Sequence, residues 1–277
     1  MIEAKYKNIH RSVKFGDNVS IKCEKVTIGK YSRIGNNVKI QCKELEIGEH
    51  LFMADGVEIG RGGCTGPRSN VRIGNGVGIF ENTVINPSEP VEIGDNCGIG
   101  GDVMIWTHGA WLDVTKGFPA EFGPVKIGKD VWLPARSIVL PNVTIGNDVV
   151  IGINSIINRS LPDGCFAAGS PCKVIKENVY PKKLSDAELS EIAWDIINDW
   201  KKIINDKGVT MVEIEYLNKK INLNYNRHST IYNIIDKTME GQSNWVSEDF
   251  RDYLRRRGIK IYTDRFFESI QPSWVID

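Results

Sequence analysis

The chain has 277 residues, 41% of them hydrophobic and 25% charged, with 35 basic against 35 acidic side chains. This composition can bury one large core or two ordinary ones and excludes overall disorder. The charge balance, 20 basic to 19 acidic up to residue 180 and 15 to 16 beyond it, lacks the basic excess that binding to nucleic acid or an anionic membrane exploits. No apolar run reaches the length of a spanning helix, and residues 1–18 hold no apolar segment of the signal-peptide kind. A cytoplasmic protein with no membrane span and six reduced cysteines is therefore expected.

From residue 9 onward the sequence keeps a six-residue beat. A degenerate triplet leads with Ile9, Phe15 and Ile21, and the next with Ile28, Ile34 and Ile40. Further triplets lead with Ile47, Met53 and Ile59, with Ile73, Ile79 and Ile85, and with Ile93, Ile99 and Ile105. The last two lead with Ile127, Leu133 and Val139, and with Ile145, Ile151 and Ile157. A small or apolar residue recurs at the fifth position, as in Ser32, Val57, Cys97, Val131 and Ser155. Strand residues alternate faces, so the lead and the fifth residue both point inward, while Gly and Asn between them permit the positive φ of a corner.

One hexad is thus a short strand and a corner, and three hexads close a coil of about 18 residues that stacks on its neighbours. Adjacent coils even repeat in sequence, FGDNVSIKCEKVTIG at 15–29 becoming IGNNVKIQCKELEIG at 34–48. That superposes Cys23 on Cys42, expected as a stacked surface pair rather than a bond. The Gly-rich run at 98–101 falls on corners with no following helix, which argues against a dinucleotide fingerprint, and no G-x-S-x-G elbow occurs.

Two inserts interrupt the beat, a glycine-rich one at 60–70 and a long one at 106–126. Inserts in a stacked coil leave at corners, and such loops commonly carry function. Beyond Pro181 the pattern turns helical. Ser185 with Glu188 forms a capping-box signature, Leu189 to Ile204 repeats at helical spacing, and Gly208 fits the stop. Residues 209–217 and 219–226 read as strands, with a third near 229–235. A short helix is expected over 247–257, closed by Gly258, and a strand over 259–262. The expected architecture is a mainly β chain, with a parallel β-helix over 1–180 and a small α+β appendage over 181–277.

The four histidines, His10, His50, His108 and His228, lie too far apart for a three-histidine zinc site, and no metal is expected. His108 stands where the backbone departs into the long insert, flanked by Thr107 and Gly109 and near Trp106 and Trp111. From position alone this imidazole is either a general base or a ring that hydrogen-bonds the loop root. Cys64, in the glycine-rich insert, is the one cysteine worth weighing as a nucleophile, and an ordinary loop thiol is the stronger reading.

The hexad array, the loop-borne histidine, Gly123-Pro-Val-Lys-Ile-Gly-Lys-Asp-Val-Trp-Leu-Pro-Ala-Arg-Ser-Ile-Val-Leu-Pro-Asn-Val-Thr-Ile-Gly and Ala167-Ala-Gly-Ser-Pro-Cys-Lys-Val-Ile-Lys together resemble the hexapeptide-repeat acyltransferases. That family includes galactoside and maltose O-acetyltransferases and sugar acetyltransferases of surface-polysaccharide pathways. The resemblance covers residues 10–177. It implies a left-handed parallel β-helix of hexapeptide repeats, a homotrimer, and acetyl-CoA or another acyl-CoA as co-substrate in a groove between neighbouring helices. It makes His108 the base on a sugar or amino-sugar acceptor, with Asn86 and Ser88 near the acceptor; the loop aromatics, Trp111 among them, either meet the apolar face of a sugar ring or pin the loop. It sets Trp132 beside the cofactor groove and gives the backbone of Ala135 and Ile153 to the pantetheine arm. Asn158, Arg159, Lys173 and Lys176 then lie near the adenine and phosphates. The competing function is a non-catalytic β-helix used for binding or assembly, which would need neither His108 at the loop root nor a basic last coil.

Overall fold

The computed structural model describes residues 1–271. The chain divides into two compact units, Met1–Lys182 and Lys183–Asp277. The first is a parallel β-helix and the second combines two helices with an antiparallel sheet.

In the β-helix the leading residues stack in register on three faces. Ile28, Ile47, Ile73, Ile93, Ile127 and Ile145 form the column of face one. Ile34, Met53, Ile79, Ile99 and Leu133 form that of face two. Ile21, Ile40, Ile59, Ile85, Ile105, Val139 and Ile157 form that of face three. These side chains are buried, as are the fifth-position residues Ser32, Val57, Cys97, Val131 and Ser155. Burying an Ile contributes about 1.5–3 kcal/mol, so the columns are the main cohesive term of this unit. Phe15 departs from the expectation: it pairs with Ile34 but is 38% exposed. Its strand, Lys14–Phe15, ends the face-two sheet with a neighbour on one side only, whereas Ile2–Ile9 underlies Ser20–Ile28 on the other two faces.

The corners divide their work differently from the sequence expectation. Positive φ falls three residues after the lead, at Asn37, Asn82, Asn96, Asp130, Asn142 and Asn154, and also at Tyr31, His50 and Arg136. The glycine directly after the lead serves close stacking instead. A Cβ on Gly94 would sit 2.7 Å from the Gly128 carbonyl carbon of the next coil. Side chains one residue further cap the neighbouring backbone, as when Asn36 N and Nδ2 donate to Asp55 at 2.7 and 3.0 Å. Those two bonds hold the exposed Asp55 carboxyl below its usual range.

In the second unit, α1 (Asp186–Asp206) starts at the expected Ser185–Glu188 capping box. Its buried face, Ala193, Ile196, Ile197, Trp200 and Ile204, joins Ile221, Leu223, Tyr232, Phe250 and Leu254 in one core. The sheet has four strands, Glu213–Leu217, Lys220–Tyr225, His228–Asn233 and Thr238–Gly241, the last not anticipated. Its turn is organised by the Asn233 side chain, which accepts from Ile235 N and Asp236 N. The second helix, α2 (Trp245–Arg256), begins earlier than expected because Asn244 and Ser247 form its capping box. Residues 259–262 are not a strand: the buried Arg251 guanidinium, paired with Glu248 at 2.7 Å, donates to the Ile261 carbonyl at 3.1 Å and holds that segment.

Close coil stacking should show directly in stability. Gly94→Ala should cost about 1–3 kcal/mol, as overpacking does. Gly62→Ala, where a Cβ meets nothing within 4 Å, should leave the denaturation midpoint unchanged. Equal midpoints for the two variants would contradict close coil stacking as the reason for the glycine.

Candidate active site

Both inserts leave the edge between faces three and one and converge on His108. The long insert leaves directly after Ile105 and folds back on itself: His108–Gly109 pairs antiparallel with Glu121–Phe122, and Gly123 N donates to Thr107 O at 2.9 Å. The imidazole stacks on Phe122, centroids 5.6 Å apart and planes 16° from parallel, and meets Trp106 edge-on at 6.2 Å. The glycine-rich insert covers the other side. A Cβ on Gly63, whose φ is +89°, would come within 2.7 Å of Ser88 Oγ and 3.7 Å of His108 Cε1, so only glycine lets this loop approach.

The decisive geometry runs through Asn86. Its Nδ2 donates to the carbonyls of Gly60 and Gly62, each at 3.1 Å. That fixes the amide orientation and turns Oδ1 toward the imidazole, 3.0 Å from His108 Nδ1. An amide oxygen only accepts, so Nδ1 carries the proton of the neutral ring and Nε2 keeps its lone pair. Ser88 Oγ donates to Asn86 Oδ1 at 3.1 Å and offers its own lone pair to Nδ1–H at 3.0 Å. Asn86 is itself anchored: its carbonyl accepts from Thr107 Oγ1 at 2.7 Å, which in turn accepts from Glu89 N at 3.0 Å. Cys64 is buried beneath, donating to Gly60 O at 3.2 Å. Burial pushes its thiol upward, against a hydrogen bond with Ser88, which is the wrong direction for a nucleophile.

Sequence reasoning named His108, Asn86 and Ser88, and the structure brings these three together. It missed Thr107 as a strut and the ion pair of Glu89 with Arg68 at 2.5 Å. The Asn-Pro-Ser-Glu-Pro run at 86–90 was the available signal. Trp111 stands apart at 95% exposure; the rings touching His108 are Trp106 and Phe122.

The remaining named residues lie elsewhere on the prism. Trp132, 59% exposed, is on the outer side of face two, paired with Gly98. Ala135 and the 69% exposed Ile153 follow on the edge between faces two and three, one coil apart, joined by Asn154 N donating to Ala135 O at 3.1 Å. Lys173 and Lys176 are exposed on the strand Cys172–Lys176, which pairs with Phe166–Gly169 at the end of the face-two sheet. Asn158 and Arg159 are exposed after Ile157, on the His108 edge but two coils further along. A single chain therefore separates His108 from Trp132, Ala135 and Ile153 by one face of the prism.

With this geometry in place, residues 124–159 match the family model described as bacterial transferase hexapeptide (six repeats). These residues carry a hexapeptide repeat like that of the bacterial transferases. The chain is 35% identical to galactoside O-acetyltransferase of Escherichia coli over 111 residues, which are 39% of this chain and 55% of that protein. It is 32% identical to galactoside O-acetyltransferase of Lactococcus lactis subsp. lactis over 121 residues, 43% of this chain and 56% of that one. The chain thus spans little more than half the length of these relatives. Among solved structures it is similar to a polysialic acid O-acetyltransferase, with 23% identity, 68% of this chain and 94% of that chain covered, and a TM-score of 0.47. No helix among the described residues is long and apolar enough to cross a membrane.

The Asn86 clamp fixes what ¹⁵N spectroscopy should find. In the neutral His108 ring the proton should sit on Nδ1, and Asn86→Leu should release that preference and populate the Nε2–H form. An Nε2–H ring in the unaltered protein would contradict the clamp.

Proposed function

We propose that this chain is an acyl-CoA-dependent acyltransferase, with acetyl as the simplest group carried, acting on a hydroxyl or amino group of a sugar or nucleotide sugar. The observation that carries the reading is the contact of Asn86 Oδ1 with His108 Nδ1 at 3.0 Å: a loop-root imidazole whose Nδ1–H is held by Asn86 presents the Nε2 lone pair. A ring that merely pinned its loop would not need a neighbouring coil and a second insert to set its proton. The likeness to galactoside O-acetyltransferases over the repeat supports a sugar acceptor.

Acyl-CoA would supply the activated thioester carbonyl, and the residues present suit it. Gly98 leaves a trough beside the Trp132 indole, where a Cβ would stand 3.7 Å from the ring. The exposed Ile153 extends that apolar surface toward the backbone of Ala135. Lys173 and Lys176 at the end of the face-two sheet, and Arg159 beside Asn158 on the His108 edge, offer exposed cations for phosphates. The His108 Nε2 takes the acceptor proton as the acceptor oxygen or nitrogen attacks. The imidazolium so formed keeps Nδ1–H on Asn86 Oδ1 and returns its other proton to the departing thiolate. No covalent acyl-enzyme is required. The exposed Trp111 of the loop, with Trp106 and Phe122 at its root, would meet the apolar face of a sugar ring.

The separation of His108 from Trp132 supports assembly as a homotrimer, in which one chain's His108 edge meets a neighbour's groove. The outer surfaces agree with this. Face one carries surface pairs such as Glu46–Arg72 at 3.2 Å and Glu92–Lys126 at 3.6 Å. Outward residues of face two include Phe52, Trp132, Val150 and Phe166, and those of face three include Met104, Ile138 and Ile156. Apolar outer faces of this kind are covered in assemblies.

His108→Ala should lower turnover on a hydroxyl acceptor by about 10²–10⁴-fold while CoA affinity is kept. Lys173→Ala should raise KM for acyl-CoA with kcat little changed, because a phosphate contact is equal in ground and transition states. Steady-state kinetics and CoA titration check both; a near-normal rate in His108→Ala would remove the base from the mechanism.

A further inference from the structure

Below the site, on the same edge of the β-helix, two thiols face each other across adjacent coils. Ser20–Ile28 and Lys39–Gln41 run parallel with Lys22 opposite Gln41, and Cys42 N donates to Lys22 O at 3.3 Å, so Cys23 and Cys42 follow side by side. Their sulfurs are 3.7 Å apart. Neighbouring strands lie about 4.8 Å apart, inside the range of roughly 4.4–6.8 Å that disulfides span between Cα atoms. Closing the bond therefore asks for side-chain rotation and leaves the coil register in place.

The two thiols are not equivalent. Among the six cysteines Cys23 alone is partly exposed, and the other five are buried. A cleft of about 230 Å³ lined by Lys22, Lys43, Gln41 and Thr65 reaches Cys23, Cys42 and Cys64, several times the roughly 30 Å³ share of one water. The hydrogen bond from Cys42 holds the Cys23 thiol below its usual range, with burial opposing. The same contact and then burial push Cys42 above it. Cys23 is thus the partner that meets the oxidant first, and Cys42, in contact with it, is placed to follow.

We propose that Cys23 and Cys42 are an oxidation site, a dithiol that closes to a disulfide between adjacent coils with a peroxide as oxidant. The Cys23 thiolate attacks one peroxide oxygen, breaking the O–O bond; Cys23 becomes a sulfenic acid and hydroxide leaves. The Cys42 thiol then attacks the Cys23 sulfur, the S–S bond forms, and the sulfenic oxygen departs as water with the Cys42 proton. Two electrons pass from the thiols to the peroxide, and hydroxide takes up the proton that Cys23 had released. The site is independent of the transferase reading, since it needs neither His108 nor CoA.

The test is peptide mapping of the folded full chain after brief treatment with hydrogen peroxide. Free thiols should fall from six to four, with the Cys23 and Cys42 peptides joined and lighter by two hydrogens, and dithiothreitol should restore all six. In Cys42→Ser the Cys23 sulfenic acid should persist and be trapped by a dione reagent; in Cys23→Ser, Cys42 should stay a thiol. A Cys23 that remains reduced, that proceeds to sulfinic acid without a bridge, or that links to Cys64 instead would overturn the proposal.

Discussion

Stacking of identical short strands at a spacing of about 4.8 Å is the constraint on which the rest of the β-helix depends. It puts each lead directly over the last, so that Ile79, Ile99 and Leu133 form one column without gaps. On face one the residue after each lead is glycine, because the next backbone passes where a Cβ would stand, as at Gly94 over Gly128. It pushes the positive-φ residue to a fixed corner position and lets Asn and Asp side chains cap the backbone of the coil beside them. Chain that does not fit this repeat has to leave at a corner, and both inserts do so on one edge.

The site is a consequence of that edge. Coil stacking brings Gly60 and Gly62, Asn86 and Ser88, and His108 from three successive turns to a single point. Asn86 reads the two carbonyls with its NH₂ group and hands its oxygen to the imidazole, so a local tautomer is set by backbone belonging to another coil. Thr107 and Glu89 fasten the arrangement from the side. The second unit solves its polar burial in a related way: Arg251 is fully enclosed because Glu248 and main-chain carbonyls take its donors, and Lys207 meets Asp249 at 2.6 Å.

How much of this could be read from the sequence follows from the same physics. The leads from Ile21 onward were legible to the residue, because burial repeats with the chain's own period. Phe15 was not, since a sheet end lacks the neighbour that buries it. Corner glycines were visible but their purpose was not: Tyr31, His50 and Arg136 take the positive φ while Gly94 and its equivalents give clearance. His108 stood out by its place at a loop root, yet its orienting partner lies across a coil boundary whose loop contacts no periodicity encodes. The start of α2 shifted because Asn244, a strong N-cap, precedes the first apolar residue that the helical pattern could register. Residues 259–262 looked like a strand from composition, but their polar partner is a buried guanidinium.

We propose that one prism carries two half-sites, a base on the edge between faces three and one and an apolar trough beside Trp132 on face two, with Lys173 and Lys176 at the end of that sheet. Mixed assembly tests this most directly. His108→Ala removes the base, and Gly98→Phe fills the trough beside Trp132; each variant alone should be nearly inactive. Unfolding and reassembling the two together should restore part of the acyltransferase activity, because some interfaces then pair an intact His108 edge with an intact trough. Mixtures that assemble normally yet stay as inactive as either variant would contradict a site shared between neighbouring chains.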